Sequence, residues 1–557
     1  MSVRTAVAAH MSIGARLRVS RLAHGQLAWQ RSLVRSVRRA RSGRVPDGLL
    51  LVGPVTGRLL ARVVESFDSW AVRDDTLRTV RAALDARGVP YALLDVRPAR
   101  LVVPEPHAVA LRDALADVAA PEWCVQVAGD RRVLRLDRWL AGDGRAEAVS
   151  LCRALASPEG TLLGGEAEAV EVELWSVVDE EERPRPDGGV HVPGTLVPPR
   201  YNGTTSYVTP RAWAAAQRRD DRRLVTASRL QEVIEPIDLV YTWVDGTDPS
   251  WQAERERAEA GLPAGAVNPN ALSSSRFLGH DELRYSLRSV EMYASWVRHV
   301  HVVTCGQVPS WLDTTNPRIS VVDHREIFSD TTGLPVFNSH AIESQLHHLP
   351  GLSERYLYLN DDVFFGRPVA PELFFEGNGL SRFFVSRALL DLDPPSVRDL
   401  PVLSAAKHNR ELIENLSGRT VTNKVKHTPH PQQRKVLEEL EDAYPELFKH
   451  LVGSRFRDPA DHSVASALHH WYAYVTGRAV EGQIAYDYLD LASEEAVLTL
   501  NRISRARDFD VFCLNDTNLE PGEREGPSRM MQDMLRAYFP LRSSFERPGA
   551  AVGNGRT

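Results

Sequence analysis

Between residues 237 and 365, apolar runs of strand length alternate with stretches long enough for helices, and two of those runs end in acidic residues. No other feature of the chain limits its fold as much. The pattern predicts strands over 237–244, 299–304, 319–322 and 356–359, with helices over 281–296, from near 309, and over 339–349 between them. Strands separated by helices pair in parallel through right-handed crossovers. Ligands of such sheets bind beyond the carboxyl ends of the strands. The first run ends at Asp245-Gly246 and the last at Asn360-Asp361-Asp362, so both acidic clusters are expected to face one cleft.

A chain of 557 residues is too long for one core. Residues 1–46 carry ten arginines and no acid, with leucines at loosely helical spacing. This segment reads as a basic helix that docks on anionic lipid or an acidic partner, or as a lead-in that packs on its own domain. Residues 47–230 read as a small α/β domain, with strands over 49–52, 91–94, 133–136 and 170–178 and helices over 76–86 and 107–119. An acidic, Pro- and Gly-rich loop follows at 179–189, and a turn between short strands at 200–209. The alternating region opens a third domain over 231–547, and 548–557 reads as a flexible tail. A net charge of −6 gives no general affinity for nucleic acid. The four cysteines stand in no metal-ligand spacing and are too few for a disulfide framework. No apolar run approaches the ~20 residues of a membrane span, and arginines interrupt the N-terminus where a signal peptide would lie. The expected location is the cytoplasm, with peripheral contact to the inner membrane through residues 1–46.

Adjacent carboxylates directly after an apolar strand suit a hard divalent ion that bridges a diphosphate; the competing reading is an Asx-turn that closes the strand. Tyr241, Thr242, Trp243 and Asp245 offer aromatic faces and a carboxylate to a nucleotide, or simply form a core strand and its turn. Arg284 and Arg288 are neighbours on one helical face, so they call for an anion, whether a ligand or Asp281 and Glu291 beside them. Lys424, Lys426, His427, His430 and Arg434 cluster within eleven residues, ahead of a helix predicted over 432–440, and Arg455 and Arg457 follow. Cations near a histidine suit phosphoryl transfer, which needs charge on phosphate oxygens and a base for the acceptor hydroxyl; a basic surface loop is the alternative. His469-His470 reads as packing, and His347-His348 shows no ligand pattern. Asn515-Asp516 repeats the logic of a strand emptying into an acidic turn.

Four blocks in order resemble the Stealth family of bacterial capsule and exopolysaccharide sugar-1-phosphate transferases, which includes the animal N-acetylglucosamine-1-phosphotransferase α/β subunit. They are residues 237–246, residues 276–365, His427-Thr428-Pro429-His430 with Arg434 and residues 455–457, and Cys513-Leu514-Asn515-Asp516 with the tail to Phe545. The resemblance implies a glycosyltransferase-A-like, mostly parallel α/β sheet with flanking helices. It also implies a nucleotide-sugar donor (a UDP-sugar first), a glycan acceptor, and Mg2+ or Mn2+. Carried over residue by residue, Asp361, Asp362 and Asp516 hold the metal. Tyr241, Thr242, Trp243, Asp245 and Arg284 line the nucleotide pocket, and His427, Arg434 and Arg457 serve catalysis, with His427 the base. Two positions depart from the family pattern: His340 receives no role, and Gln345 stands where the animal enzyme has histidine. The implied reaction makes a phosphodiester and releases a nucleoside monophosphate. The alternatives are a glycosyltransferase that releases the diphosphate and a non-catalytic carbohydrate-binding protein on the same fold.

Overall fold

The computed structural model describes residues 45–52, 59–142, 144–179, 183–184, 189–263, 267–272, 277, 279–515 and 525–549. The basic segment up to residue 44, most of the acidic loop at 179–189, Asp516 and the tail from 550 lie outside the described residues. No helix among the described residues is long and apolar enough to cross a membrane. The chain divides into two compact units between Ser228 and Arg229.

The first unit is built on a sheet whose main path runs Ala92–Val96, Ala99–Pro104, Val170–Val177, Ala148–Arg153, Trp123–Val127 and Val133–Arg135. The helices Ser69–Ala86 and Ala108–Asp117 share its core. The first begins seven residues ahead of the periodic stretch because the Asp68 carboxylate caps it, accepting from the amides of Trp70 and Ala71. Thr76, Leu77, Val80, Ala83 and Leu84 form its buried stripe. The strand expected over 133–136 stops at Arg135, because Leu136 opens a helix and is itself fully buried. The turn expected at 200–209 joins the two-residue strand Leu196–Val197 to an antiparallel bridge at Val208, and within it the Asn202 side chain accepts from the amides of Thr204 and Thr205.

The second unit contains the alternating region. Strands β1 (Ile237–Thr242), β2 (Val300–Thr304), β3 (Ile319–Asp323) and β4 (Arg355–Asn360) lie in the spatial order β3-β2-β1-β4 and are all parallel. Their registers set Thr242 opposite Asn360 and Thr304 opposite Asp323, so the carboxyl ends share one edge. Leu239, Val240 and Tyr241 are wholly buried, as befits a parallel strand covered on both faces. After β4 the chain leaves this sheet as β5 (Val363–Phe365), which pairs with β8 (Val511–Asn515) beside β7 (Tyr486–Asp490). The remaining strand, β6 (His430–Gln433), returns to the first sheet and adds antiparallel to β4.

Every residue of helix α1 (Glu282–Tyr293) except Glu291 is buried. That leaves Arg284 and Arg288 away from water, and neither Asp281 nor Glu291 answers them. Glu546 does: its carboxylate accepts at 2.6 Å from the Nε of each. The helix expected near 309 is a turn, because the backbone of 311–313 bonds instead to the C-terminal segment, Arg547 to Trp311 and Asp313 to Phe545. The helix expected over 339–349 is split into Ser339–Glu343 and a short turn, Leu346–His348. Between them the buried Gln345 side chain accepts from the Ser329 amide at 3.1 Å, which ties this bend to a neighbouring loop. The helix expected over 432–440 is Arg434–Ala443, since Gln432 and Gln433 belong to β6.

Candidate active site

The chemistry-bearing residues meet because of strand direction. β4 carries Asn360 to the carboxyl edge, and Asp361 and Asp362 form the turn beyond it. β6 runs the other way, with His430 opposite Tyr358, so His427, three residues before it, arrives at the same edge. Its Nε2 lies 3.4 Å from Asp362 Oδ1. β8 brings Cys513 opposite Val363, and its thiol donates to Asp362 Oδ2 at 3.2 Å. Asp362, His427 and Cys513 thus present three ligand-type atoms within 4.8 Å of one another.

A cleft of about 780 Å³ opens over this edge, lined among others by Thr242, Trp243, Asp361, Asp362, Lys424, Lys426, His427, Arg457, Tyr486, Tyr488 and Asn515. A side chamber of about 200 Å³ shares Asn360, Lys424, His427 and Arg457 with the cleft and adds His340, Glu343, Asn409 and Trp471. The Glu343 carboxylate is buried and accepts from the Ser466 hydroxyl at 2.8 Å and from Tyr358 at 3.3 Å. Arg457 donates from Nη2 to Ser339 Oγ at 2.8 Å, while its buried Nε has no partner among the described residues. His340 is held by Asp461 at 3.3 Å, which anchors the wall of the chamber.

Electrostatics follow from this crowding. Burial pushes the His427 imidazole down, but the hydrogen bond and charge of Asp362 outweigh it, and the net shift is upward. Burial, with Asp362 alongside, pushes the Cys513 thiol well above its ordinary range and keeps it protonated. Burial lowers Arg457, yet its guanidinium remains a cation.

The donor set around Asp362 fits a divalent cation. Besides the paired carboxylates, Asn360 Oδ1 is buried at the same edge and has no hydrogen-bond partner among the described residues, an oxygen ligand left unused there. Asp361 and Asp362 with Asn360 would supply the hard oxygen donors that magnesium and manganese take.

Of the residues expected from sequence, the structure brings Thr242, Trp243, Asp361, Asp362, His427 and Arg457 to the cleft. Others lie elsewhere. Tyr241 is wholly buried, its hydroxyl on Ser286 at 2.8 Å. Asp245 closes a turn by accepting from the Thr247 amide and hydroxyl. Arg284 is 1% exposed and bound to Glu546. Arg434 stands at the opposite edge of the sheet, because it follows Gln433, which pairs with Arg355 at the amino end of β4. Asp516 lies outside the described residues. Sequence reasoning missed Glu343, Tyr486 and Asn515 as lining residues. A carboxylate one turn into an apolar segment, Ala341-Ile342-Glu343, was the available signal for the first.

Sequence profiles for the four conserved regions of Stealth proteins match residues 235–263 (region 1), 276–383 (region 2), 426–474 (region 3) and 501–555 (region 4). An exopolysaccharide phosphotransferase of Nocardia farcinica is 34% identical over 476 residues, 85% of this chain and 87% of that one. The chain belongs to the Stealth family. Another such relative, from Streptomyces coelicolor, is 42% identical over 412 residues, 71% of this chain and 67% of that one. Against two further Streptomyces coelicolor relatives, this Stealth chain spans about half their length, 53% and 52%. Among solved structures, the galactosyltransferase LgtC with donor and acceptor sugar analogs covers 55% of this chain and 97% of its own at 12% identity, with a TM-score of 0.29. That superposition is too loose to transfer any residue.

Proposed function

We propose that this transferase moves a sugar 1-phosphate from a nucleotide sugar to a hydroxyl of a glycan, in the synthesis of an exopolysaccharide. The observation that carries the reading is the convergence of a carboxylate pair, His427 and the incompletely bonded Arg457 on one cleft. Relatives named exopolysaccharide phosphotransferases support it. Trp243 at the end of β1 and Tyr488 in β7 give flat faces for a base or sugar. Arg457, Lys424 and Lys426 face the volume a diphosphate would occupy and would stabilise charge on the transferred phosphoryl group.

In the reaction, an acceptor oxygen bonds to the β-phosphorus while the bond from that phosphorus to the α-phosphate oxygen breaks. The nucleoside monophosphate leaves with that oxygen. The acceptor proton passes to His427 Nε2, which lies on the wall shared by cleft and chamber. A divalent cation on Asp361 and Asp362 would neutralise the diphosphate and take up the charge of Asp362 that now draws a proton onto His427. Glu343, close to His427 and Arg457, would orient the acceptor hydroxyl or the sugar from the chamber side.

The test is product analysis. The protein, Mg2+ or Mn2+ and a panel of nucleotide sugars are incubated with a polysaccharide acceptor, and the released nucleotide is identified. Monophosphate release with a phosphodiester in the glycan supports the reading. Diphosphate release overturns it in favour of glycosyl transfer at the anomeric carbon.

A further inference from the structure

Away from the cleft, His347 and His348 on the turn Leu346–His348 meet Glu441 on the helix Arg434–Ala443. Both imidazole Nε2 atoms approach one carboxylate oxygen, Glu441 Oε2, at 2.6 and 2.9 Å. The two rings lie 4.1 Å apart. His347 is fully buried, whereas His348 and Glu441 keep 31% and 24% of their side chains exposed, so the cluster sits at the surface with one rigid wall.

The tautomers make this arrangement unusual. His348 Nδ1 is 3.0 Å from the carbonyl oxygen of Ile327, and a carbonyl can only accept. A neutral His348 therefore carries its proton on Nδ1 and turns the Nε2 lone pair toward the carboxylate. Two acceptors 2.9 Å apart repel each other unless a second proton on the imidazole or a metal cation lies between them. That backbone hydrogen bond is also the one that commonly orients a metal-ligating histidine. Among the described residues the buried His347 Nδ1 has no partner, so only Glu441 sets its tautomer: Nε2 donates to the carboxylate, and a bound cation would take the place of that proton.

We propose that His347, His348 and Glu441 form a binding site for a late first-row divalent cation, zinc foremost, distinct from the donor cleft. Two imidazoles and a carboxylate are a zinc donor set with a position open to water, and they disfavour the hard ions expected at Asp361 and Asp362. Zinc ligands at about 2.0–2.2 Å stand roughly 3.4 Å from one another in a tetrahedron. The present spacings need to open by less than 1 Å, which rotation of the half-exposed His348 and Glu441 side chains supplies. The bound ion would clip the segment that carries Glu343 to the helix that follows β6, and so hold both sides of the chamber.

The full chain carrying Asp362→Asn, which weakens the other cluster of ligand-type residues, is stripped with EDTA and titrated with ZnCl2 by calorimetry in excess MgCl2. The expected result is one equivalent of tightly bound zinc, with affinity falling at least about tenfold when either His348→Ala or Glu441→Gln is added. Each added variant is first checked for an unchanged melting temperature in EDTA, and where one fails that check the other decides. Zinc uptake that neither substitution weakens, or no uptake at all, overturns the proposal.

Discussion

Two arginine clusters in the second unit show how the same residue type is put to opposite uses. In one, Arg284 and Arg288 close on Glu546, with side-chain exposures of 1%, 3% and 0%, and each guanidinium has the carboxylate at 2.6 Å. In the other, Arg457 leans on the neutral hydroxyl of Ser339, keeps a buried Nε unpartnered, and among the described residues has no carboxylate at ion-pair distance. A buried donor left unmatched costs about 1–3 kcal/mol. Where a ligand supplies the missing acceptor, that cost is recovered on binding. The first cluster holds helix α1 to the C-terminal segment; in the function proposed above, the second meets the anionic donor. Charge alone does not tell them apart, whereas the nearest acceptor does: a carboxylate in the first, a hydroxyl in the second.

Substitutions should separate the two. The largest effect is expected at His427, where alanine should lower the transfer rate about 10²–10⁴-fold in a product assay while leaving the melting temperature near wild type. Arg457→Ala should follow at about 10²–10³-fold, again without loss of stability, and lysine should recover part of it. An Arg457→Ala protein that melts well below wild type would put this arginine in the structural class. Glu546→Gln should do the reverse. It leaves two buried guanidinium groups without their carboxylate, at a cost of about 3–5 kcal/mol in urea unfolding, with activity per folded molecule little changed.

The smallest effect is a pH dependence. Burial would raise the Glu546 carboxyl, but the Arg288 hydrogen bond and the charges of Arg288 and Arg284 outweigh it and hold the group below the ordinary glutamate range. Because the folded-state value is the lower one, its stabilisation is complete above the unfolded-chain value of about 4.3 and is lost as pH falls through the folded value. Unfolding free energy of the wild type should therefore drop more steeply below about pH 4 than that of Glu546→Gln. Parallel curves would remove Glu546 from this role.

Three of the four parallel strands could be read from sequence because they are buried on both faces and so appear as continuous apolar runs, and the edge strand β3 could be read from Ile319, Val321 and Val322. The acidic turn at Asp361-Asp362 could be read because strand ends in such sheets face ligands. What escaped depended on partners far along the chain. Arg284 and Arg288 signalled that an anion was needed but not that Glu546, 262 and 258 residues away, supplies it. Arg434 lies next to β6 in sequence, yet the antiparallel direction of that strand carries it to the wrong edge. The short turn at Leu346–His348 hid a cluster whose third member, Glu441, sits 94 and 93 residues on.

The pairing of Arg284 with Glu546 also bears on how the chain comes off the ribosome. At about 5–20 residues per second, the 262 residues between them take roughly 13–50 s to synthesise. Throughout that interval Glu546 is missing from the two guanidinium groups of α1, and for most of it β5 has not yet met β8. The parallel sheet can collapse early, but α1 cannot be sealed until Glu546 has been made. A nascent chain halted before Glu546 should expose α1 to protease, and one released just beyond it should not.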